Sequence, residues 1–451
     1  MINQYFHKHL VYLPIATLKT KHFLKNFYAL KLSQFKTEDE IRSIQAKKLI
    51  KLLAYATKNV PAYKGMENTF GYKSDDIDKI LNTIPFTLKD DIKKNFSGYI
   101  SKENFYLLTK KTTGGSTGQP VTILKTREAM GFELAATWRG YSWAGIDIGD
   151  KQARFWGVPF SNFGKFNAWL TDKICNRIRL SAFSFNDDCL MAYSKKIEQF
   201  KPDYFYGYVS MLCDYARFCS NKLDNISITP RCIITTAEVL TSRQKKILQS
   251  VFKTKVYNEY GCGELGTIAH ECEHGNMHIS AENMIVEILD GNRICEDGEL
   301  GEIVVTELNN LAMPLIRYRL GDYASISAKA CKCGRQLPIL NEVKGREYDT
   351  ITLANGKKIH GEYFMYIMEA SKKKDLGVGK FQIIQKNLFE LQVKVVPEKT
   401  FNLDSEKFIR QSILSQFDEK IDINIELVDQ IPREKSGKMR LVVAYSPTSK
   451  K

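Results

Sequence analysis

Lys111-Thr112-Thr113-Gly114-Gly115-Ser116-Thr117-Gly118-Gln119-Pro120 is a run in which every residue from Thr112 to Gly118 is Thr, Gly or Ser. It lies between two strand-like segments, 105–109 and 121–125. Glycine lets a backbone turn tightly and approach a ligand closely. Consecutive N–H groups form an anion-binding nest, and the hydroxyls add further donors. The run therefore reads as a loop that holds a polyphosphate. It is not a Walker loop, because that motif ends in Gly-Lys-Ser/Thr and here Gly118 is followed by Gln119-Pro120. The bland alternative is a flexible surface hairpin, and the rest of the chain weighs against it.

Working outward, Tyr260-Gly261-Cys262-Gly263-Glu264 follows a strand-like stretch at 255–259. Ala237-Glu238, Tyr318-Arg319-Leu320-Gly321-Asp322, Gly345-Arg346 and Gly437-Lys438 complete the series. At 451 residues, with 43% hydrophobic and 26% charged residues, the chain has globular composition and is long enough for two domains. No apolar run approaches a membrane span, and the N-terminus lacks the pattern of a signal peptide, so a cytoplasmic protein is expected. Short strands alternate with helical stretches from 151 onward, the pattern of a layered α/β domain with parallel strands. After Arg346 the texture changes to a compact α+β unit of about a hundred residues.

In their order and separation these phrases resemble the core motifs of the adenylate-forming superfamily, the acyl- and aryl-CoA synthetases. Two N-terminal phrases narrow the resemblance: Leu53-Ala54-Tyr55-Ala56-Thr57-Lys58-Asn59-Val60-Pro61-Ala62-Tyr63, and Ile84-Pro85-Phe86-Thr87-Leu88-Lys89-Asp90-Asp91. Both are similar to the opening of the phenylacetate–CoA ligase branch, and within it to the capsular-polysaccharide-biosynthesis subgroup. The resemblance implies an α/β adenylation domain over 1–346 and a small mobile α+β lid over 347–451, hinged within 345–349. It also implies an ATP-dependent ligase that converts a carboxylic acid to its adenylate with release of pyrophosphate. The acyl group then passes to CoA, a carrier or a sugar acceptor, in capsular or exopolysaccharide biosynthesis.

Phosphoryl-type transfers need charge neutralisation and positioning more than covalent help. By resemblance, Thr112, Thr113, Gly114, Gly115, Ser116, Thr117 and Gly118 would cradle the ATP phosphates. Ala237, Glu238, Tyr260 and Gly261 would line the adenine pocket, and Asp322 and Arg346 would hold the ribose. Glu264 would bind Mg²⁺, a hard cation suited to an oxygen ligand. Lys438, in Pro432-Arg433-Glu434-Lys435-Ser436-Gly437-Lys438, would meet the α-phosphate and the incoming carboxylate. Against these stand blander readings: a helix-start carboxylate for Glu264, a turn residue for Asp322, a basic terminal loop for Lys438. Two departures from the family pattern are Gln119, where many relatives carry lysine, and Tyr348, where an acidic hinge residue is usual. Trp138, Tyr141, Trp156 and Phe160 lie near the expected acid pocket, which favours an apolar or aromatic acid.

His270-Glu271-Cys272-Glu273-His274-Gly275-Asn276-Met277-His278 groups three of the seven histidines, and Cys331-Lys332-Cys333-Gly334 follows 59 residues after Cys272. Four Cys and His ligands make a closed structural Zn²⁺ site. The resemblance implies Cys272, His278, Cys331 and Cys333, with His274 as the alternative histidine. Six other cysteines (Cys175, Cys189, Cys213, Cys219, Cys232, Cys295) read as small buried hydrophobes. The net charge of +15 is concentrated at the start, where residues 1–60 hold eleven Lys/Arg against three Asp/Glu. Aromatics Tyr5, Phe6, Tyr12, Phe23, Phe27 and Tyr28 interleave with these lysines. That segment reads as a solvated helical face packing its aromatics on the domain, with an anionic membrane surface as the second reading. No nucleic-acid module accompanies the charge. The reading from another class is a zinc-stabilised basic binding protein that keeps the fold without catalysis.

Overall fold

The computed structural model describes the chain apart from residues 1–3, 67–75, 113–120, 158–161, 182–186, 223–228, 342, 345–349, 355–357, 361–363, 365–366, 369, 372–373, 416–420, 433–439 and 446–451. Two compact units result: Met1–Leu320 with Ala324–Val343, and Lys344–Lys451 with Gly321–Tyr323.

The first unit is organised by a twelve-stranded sheet. Five neighbouring strands run parallel, in the spatial order Arg177–Ser181, Gln152–Trp156, Tyr204–Tyr208, Cys232–Thr236 and Lys255–Cys262. The sheet then continues through Gly266–Glu271, Met277–Ile279, Ile339–Asn341, Tyr318–Ser327, Gly301–Glu307 and Met284–Asp290 to Arg293–Ile294 at the edge. Where pairing changes from parallel to antiparallel, Lys255–Cys262 is the shared strand.

Alternation along the parallel strands sends two different sets of side chains to the two faces. Ala153, Phe155, Phe205, Ile233 and Val256 go to one face and form a core with Leu212, Tyr215, Leu248 and Phe252 from covering helices. Those helices are Asp187–Phe200, Val209–Lys222 and Ser242–Phe252. The opposite face carries Tyr204, Tyr206, Ile234 and Tyr257, packed with Trp138 and Tyr141 of helix Arg127–Trp143. The N-terminal segment completes that layer. Tyr12, Phe23 and Phe27 are buried there, and Trp138 Nε1 donates to the Tyr12 hydroxyl at 2.7 Å. Tyr5, Phe6 and Tyr28 are instead exposed, so the aromatics of this segment divide between core and surface.

Helix Glu38–Asn59 begins at a capping box in which Thr37 and Glu40 bond each other's backbone N–H. It buries Ile41, Leu49, Leu52, Leu53 and Ala56 at helical spacing. In the second unit, strands Val378–Asn387 and Glu390–Pro397 form an antiparallel pair, with Asp422–Leu427 and Val442–Val443 added in parallel on either side. Helix Leu403–Leu414 contributes Ile409 and Ile413 to the core under that sheet.

Sequence patterning misplaced some elements. The strand expected at 105–109 is Thr109–Thr112, paired in register with Thr122–Lys125, so Thr112 is a strand residue. Tyr106 and Leu107 precede it exposed, and Leu107 has φ +56°, which no strand tolerates. Strand Arg177–Ser181 was not foreseen because its Arg177 and Arg179 read as surface charge. Asp172 receives both guanidinium groups, at 2.5 and 3.0 Å, which lets an edge strand carry them. Of the six cysteines read as buried, Cys213, Cys219 and Cys232 are buried, while Cys175, Cys189 and Cys295 are half-exposed.

Phe205 is fully buried, with ring centroids of Phe155 and Phe252 at 5.5 and 5.3 Å. Phe205→Ala should cost about 3–5 kcal/mol, cavity included. A shift of that size is expected in the first unit's transition in guanidinium unfolding followed by tryptophan fluorescence.

Candidate active site and metal cluster

The carboxyl ends of parallel strands are where an open α/β sheet binds ligands, and four predicted positions lie there. Ala237 follows the end of Cys232–Thr236 with φ +67°, a conformation costly for a residue with a Cβ. Glu238 is engaged with the next element: its carboxylate accepts from Ser210 N at 2.6 Å and Ser210 Oγ at 2.9 Å, at the start of helix Val209–Lys222. This fixes the Ala237-Glu238 turn to the end of Tyr204–Tyr208. Tyr260 and Gly261 are strand residues near the end of Lys255–Cys262, where the ladder slips by a residue. Any Cβ on Gly261 would fall 2.3 Å from the Gly266 carbonyl oxygen, so the position must be glycine.

That irregularity leads into the turn carrying Glu264, which joins Lys255–Cys262 to Gly266–Glu271 and begins no helix. Glu264 is buried. Its Oε1 accepts from the Tyr318 hydroxyl at 3.3 Å and lies 3.4 Å from Lys89 Nζ. The two partners come from distant phrases that are themselves joined. Thr87 N donates to Arg317 O at 3.0 Å, and Arg319 N donates to Thr87 O at 3.1 Å. The guanidinium groups of Arg317 and Arg319 both lie over the Phe86 ring, at 4.3 and 4.4 Å. Three phrases separated in sequence thus converge on one buried carboxylate. Asp322 is buried further along the Tyr318–Ser327 strand, after Gly321 at φ +74°. Thr113, Gly114, Gly115, Ser116, Thr117, Gly118, Arg346 and Lys438, with Phe160, lie outside the described residues.

Sequence reasoning missed a charged cluster under the glycine-rich hairpin. Lys125 is fully buried and pairs with Glu307 at 2.7 Å and Glu133 at 3.2 Å, while Lys111 pairs with Glu133 at 2.5 Å. Burial pushes the Glu133 carboxyl up, but Lys125 and Lys111 outweigh it and hold it below its ordinary value. The hairpin flanking the loop is therefore anchored by ion pairs in the interior. No motif signals this, because it depends on residues up to 182 positions apart.

A second cluster was also missed. Glu259 is buried and accepts from the Tyr206 hydroxyl at 3.0 Å. Its other oxygen has no hydrogen bond among the described residues. Burial pushes this carboxyl above its ordinary value. Arg154 stacks over Trp156 and Tyr206 at 4.5 and 4.9 Å. Of the expected acid-pocket residues, Trp138 is spent on packing and on Tyr12, and Trp156 stacks on Tyr206 at 5.7 Å. Tyr141 is buried against Tyr206 and His270. His270 is held neutral by burial, its pKa down at about 4.

Cys272, His278, Cys331 and Cys333 come together, their ligand atoms all within 4.8 Å of one another. His274 is exposed and outside the group. Each half is a tight turn closed by glycine. Gly275 N donates to Cys272 O at 3.0 Å with φ +85°, and Gly334 N donates to Cys331 O at 3.1 Å with φ +78°. The Cys272 and Cys331 sulfurs are 3.6 Å apart, and Cys333 Sγ is 3.2 Å from His278 Nε2. A disulfide would need about 2.0 Å, whereas sulfurs sharing a tetrahedral zinc stand about 3.8 Å apart. The separations therefore suit a shared ion. His278 Nδ1–H donates to Leu337 O at 2.9 Å, which leaves Nε2 as the ligating atom. Burial favours its neutral form. Burial also pushes the Cys272 thiol up to about 12, so without a cation it stays protonated. Asn276 Nδ2 donates to Cys331 Sγ at 3.1 Å, an outer contact suited to a thiolate.

The two buried glutamates carry opposite pH signatures. Glu133, with a lowered folded-state value, contributes stability above about 4.5 and loses it as pH falls through that lowered value. Glu259, with a raised value, favours folding below about 4.5 and costs stability as pH rises through its folded value. Glu133→Gln should therefore be most destabilising at neutral pH and approach wild type in acid. Glu259→Gln should match wild type near pH 4 and melt higher near pH 8. Thermal melts of the three proteins across that range provide the check.

Residues 351–445 match the family model of the CapK C-terminal domain. The chain is 23% identical over 442 residues to Protein CapK of Staphylococcus aureus, covering 95% of this chain and 96% of that protein. It is 20% identical over 439 residues to a phenylacetate–coenzyme A ligase of Thermus thermophilus, covering 90% and 96%. A 2-hydroxyisobutyryl-CoA ligase in the postadenylation state, in complex with R3-HIB-AMP, shares the fold with a TM-score of 0.72 at 18% identity, covering 92% of this chain and 91% of that one. The chain is a homologue of CapK and the phenylacetate–coenzyme A ligases, built on the fold of the adenylate-forming CoA ligases.

Proposed function

We propose that this chain activates a carboxylic acid with ATP and transfers the acyl group to CoA. The observation that carries the reading is that Lys89 and Tyr318 meet at buried Glu264, in the turn that follows the Tyr260-Gly261 irregularity at the carboxyl end of the last parallel strand. In the first half-reaction a carboxylate oxygen of the acid bonds to the α-phosphorus of ATP, and pyrophosphate leaves with the electrons of the broken P–O bond. In the second, a thiol sulfur attacks the acyl carbon, AMP leaves, and the thiol proton passes to solvent.

Glu264 would supply a carboxylate oxygen for Mg²⁺, which neutralises phosphate charge when bound. Tyr318 and Lys89 hold that carboxylate in place. The Thr112–Gly118 loop would bind phosphate oxygens through backbone N–H groups, and Lys438 would offset charge developing between the two reacting groups. Asp322 and Arg346 would take the ribose. Hinge motion within 345–349 would separate the half-reactions, with the second domain, 347–451, as the moving part. The relative named CapK supports a place in capsular polysaccharide assembly, where a carrier or sugar would be the acceptor. Trp156, Tyr206 and Tyr141 favour an acid with an apolar or aromatic body. Zn²⁺ is the cation we assign to Cys272, His278, Cys331 and Cys333, in a structural role.

Purified protein should exchange labelled pyrophosphate into ATP when the right acid is present in a panel of aryl and alkyl acids. Lys438→Ala should lower the exchange at least a hundredfold while leaving ATP binding intact, on the scale of one lost transition-state contact. No exchange with any acid by folded protein would favour the binding-protein reading. Elemental analysis should find about one zinc per chain. Chelation or Cys333→Ser should lower the melting temperature before it affects exchange measured well below that temperature. A metal-free protein with unchanged melting would remove the zinc assignment.

A further inference from the structure

The N-terminal helices present an apolar outer face that the proposed chemistry does not use. Gln4–Phe6, His7–Tyr12 and Leu13–Lys19 follow one another as a continuous helical run. Its inner side buries Tyr12 and Ala16, while Phe6, Leu10 and Leu18, at spacings of four and eight, lie on the outer side. Helix Phe23–Ser33 repeats the pattern: Phe23, Phe27 and Leu30 are buried, and Tyr28 and Leu32, with Phe35 just past its end, face outward. These six outer side chains are 52–77% exposed. Single exposed apolar residues are ordinary, but two successive stripes on the first two helical segments are not.

Charge indicates what covers them. The first 37 residues contain six lysines and no Asp or Glu. Lys8, Lys21 and Lys36 reach carboxylates, those of Asp147, Glu128 and Glu40. Lys19, Lys25 and Lys31 are exposed and make no ion pair among the described residues. Aliphatic side chains flanked by unneutralised lysines suit the interface of an anionic bilayer, where leucine enters the acyl boundary and lysine reaches the headgroups. A second copy of this chain would bring its own excess of positive charge, since the net charge is +15. Nucleic acid would satisfy the lysines but leave Leu10, Leu18 and Leu32 nothing apolar to contact.

We infer that residues 4–36 form a peripheral docking surface for anionic lipid. No helix among the described residues is long and apolar enough to cross a membrane, so the contact lies in the plane of the interface. The inference is independent of the proposed ligase activity, because none of these residues belongs to the site.

The test is co-sedimentation of the full-length protein with vesicles of mixed phosphatidylglycerol and phosphatidylcholine, against pure phosphatidylcholine. Binding should require phosphatidylglycerol and weaken with added salt. The triple variant Lys19→Glu/Lys25→Glu/Lys31→Glu should lower the partition coefficient by about a hundredfold, at about fivefold per lysine. Leu10→Ser/Leu18→Ser/Leu32→Ser should lower it at least tenfold, with circular dichroism unchanged because all three positions are exposed. If the leucine variant fails to fold, the lysine variant decides. Three results would overturn the inference: no binding to phosphatidylglycerol vesicles at low salt, binding that survives both variants, or a self-associated protein that the leucine variant converts to monomer without any vesicle binding.

Discussion

Strand Lys255–Cys262 is bonded in parallel on one edge and antiparallel on the other, and the geometry of the site depends on that change of sense. A parallel neighbour would need a long crossover on this side. An antiparallel one returns through the short turn that holds Glu264. The return is tight enough that Gly261 has no room for a side chain against the Gly266 carbonyl. On the buried face Glu259 is held by Tyr206, and beyond the turn Gly266–Glu271 runs directly to Cys272. One strand therefore links the ends of the parallel sheet, the carboxylate at the turn and the Cys/His cluster.

Around it the molecule concentrates charge where little water reaches. Lys125, Glu133 and Glu307 are placed in the interior because each offsets another, and Lys111 adds a fourth charge beside the glycine-rich run. Buried pairs of this kind seldom add much net stability, since desolvation opposes attraction, but losing one partner strands the other. Their effect is to fix the two strands of the hairpin, Thr109–Thr112 and Thr122–Lys125, to the interior. Glu259 and Arg154 differ. One carboxylate oxygen has no hydrogen bond among the described residues and one guanidinium rests on ring faces, an arrangement that leaves polar capacity within the parallel half of the sheet.

With a cation bound, the Cys/His cluster would have a comparable mechanical role. Its two glycine-closed turns lie at opposite ends of the segment 272–334, and a shared cation would tie the hairpin after Glu264 to the strand pair carrying His278 and Ile339. Loops joined in this way cost entropy to close, and a metal recovers that cost in one step. The N-terminal helices also contribute to both core and surface. Tyr12 and Phe27 complete the layer over Tyr204 and Tyr206, while the same helices leave leucines and lysines outside.

How much of this the residues disclosed follows from the range of the forces involved. Runs governed by local rules were legible: the buried strands Tyr204–Tyr208 and Cys232–Thr236 stood out as short strand-like runs alternating with helical stretches. The four Cys/His positions of the cluster and Glu264 could be named because their order along the chain resembles a family, although no spacing showed that Cys272 and Cys331 meet. Strand Arg177–Ser181 was hidden because its arginines depend on Asp172 for neutralisation. Tertiary structure alone decided that Lys89 and Tyr318 meet at Glu264, that Glu133 anchors the loop base, and that Glu238 caps a helix. Those contacts arise from electrostatics and packing between residues 22 to 175 positions apart, and a side chain's type does not record which distant partner will share its burial.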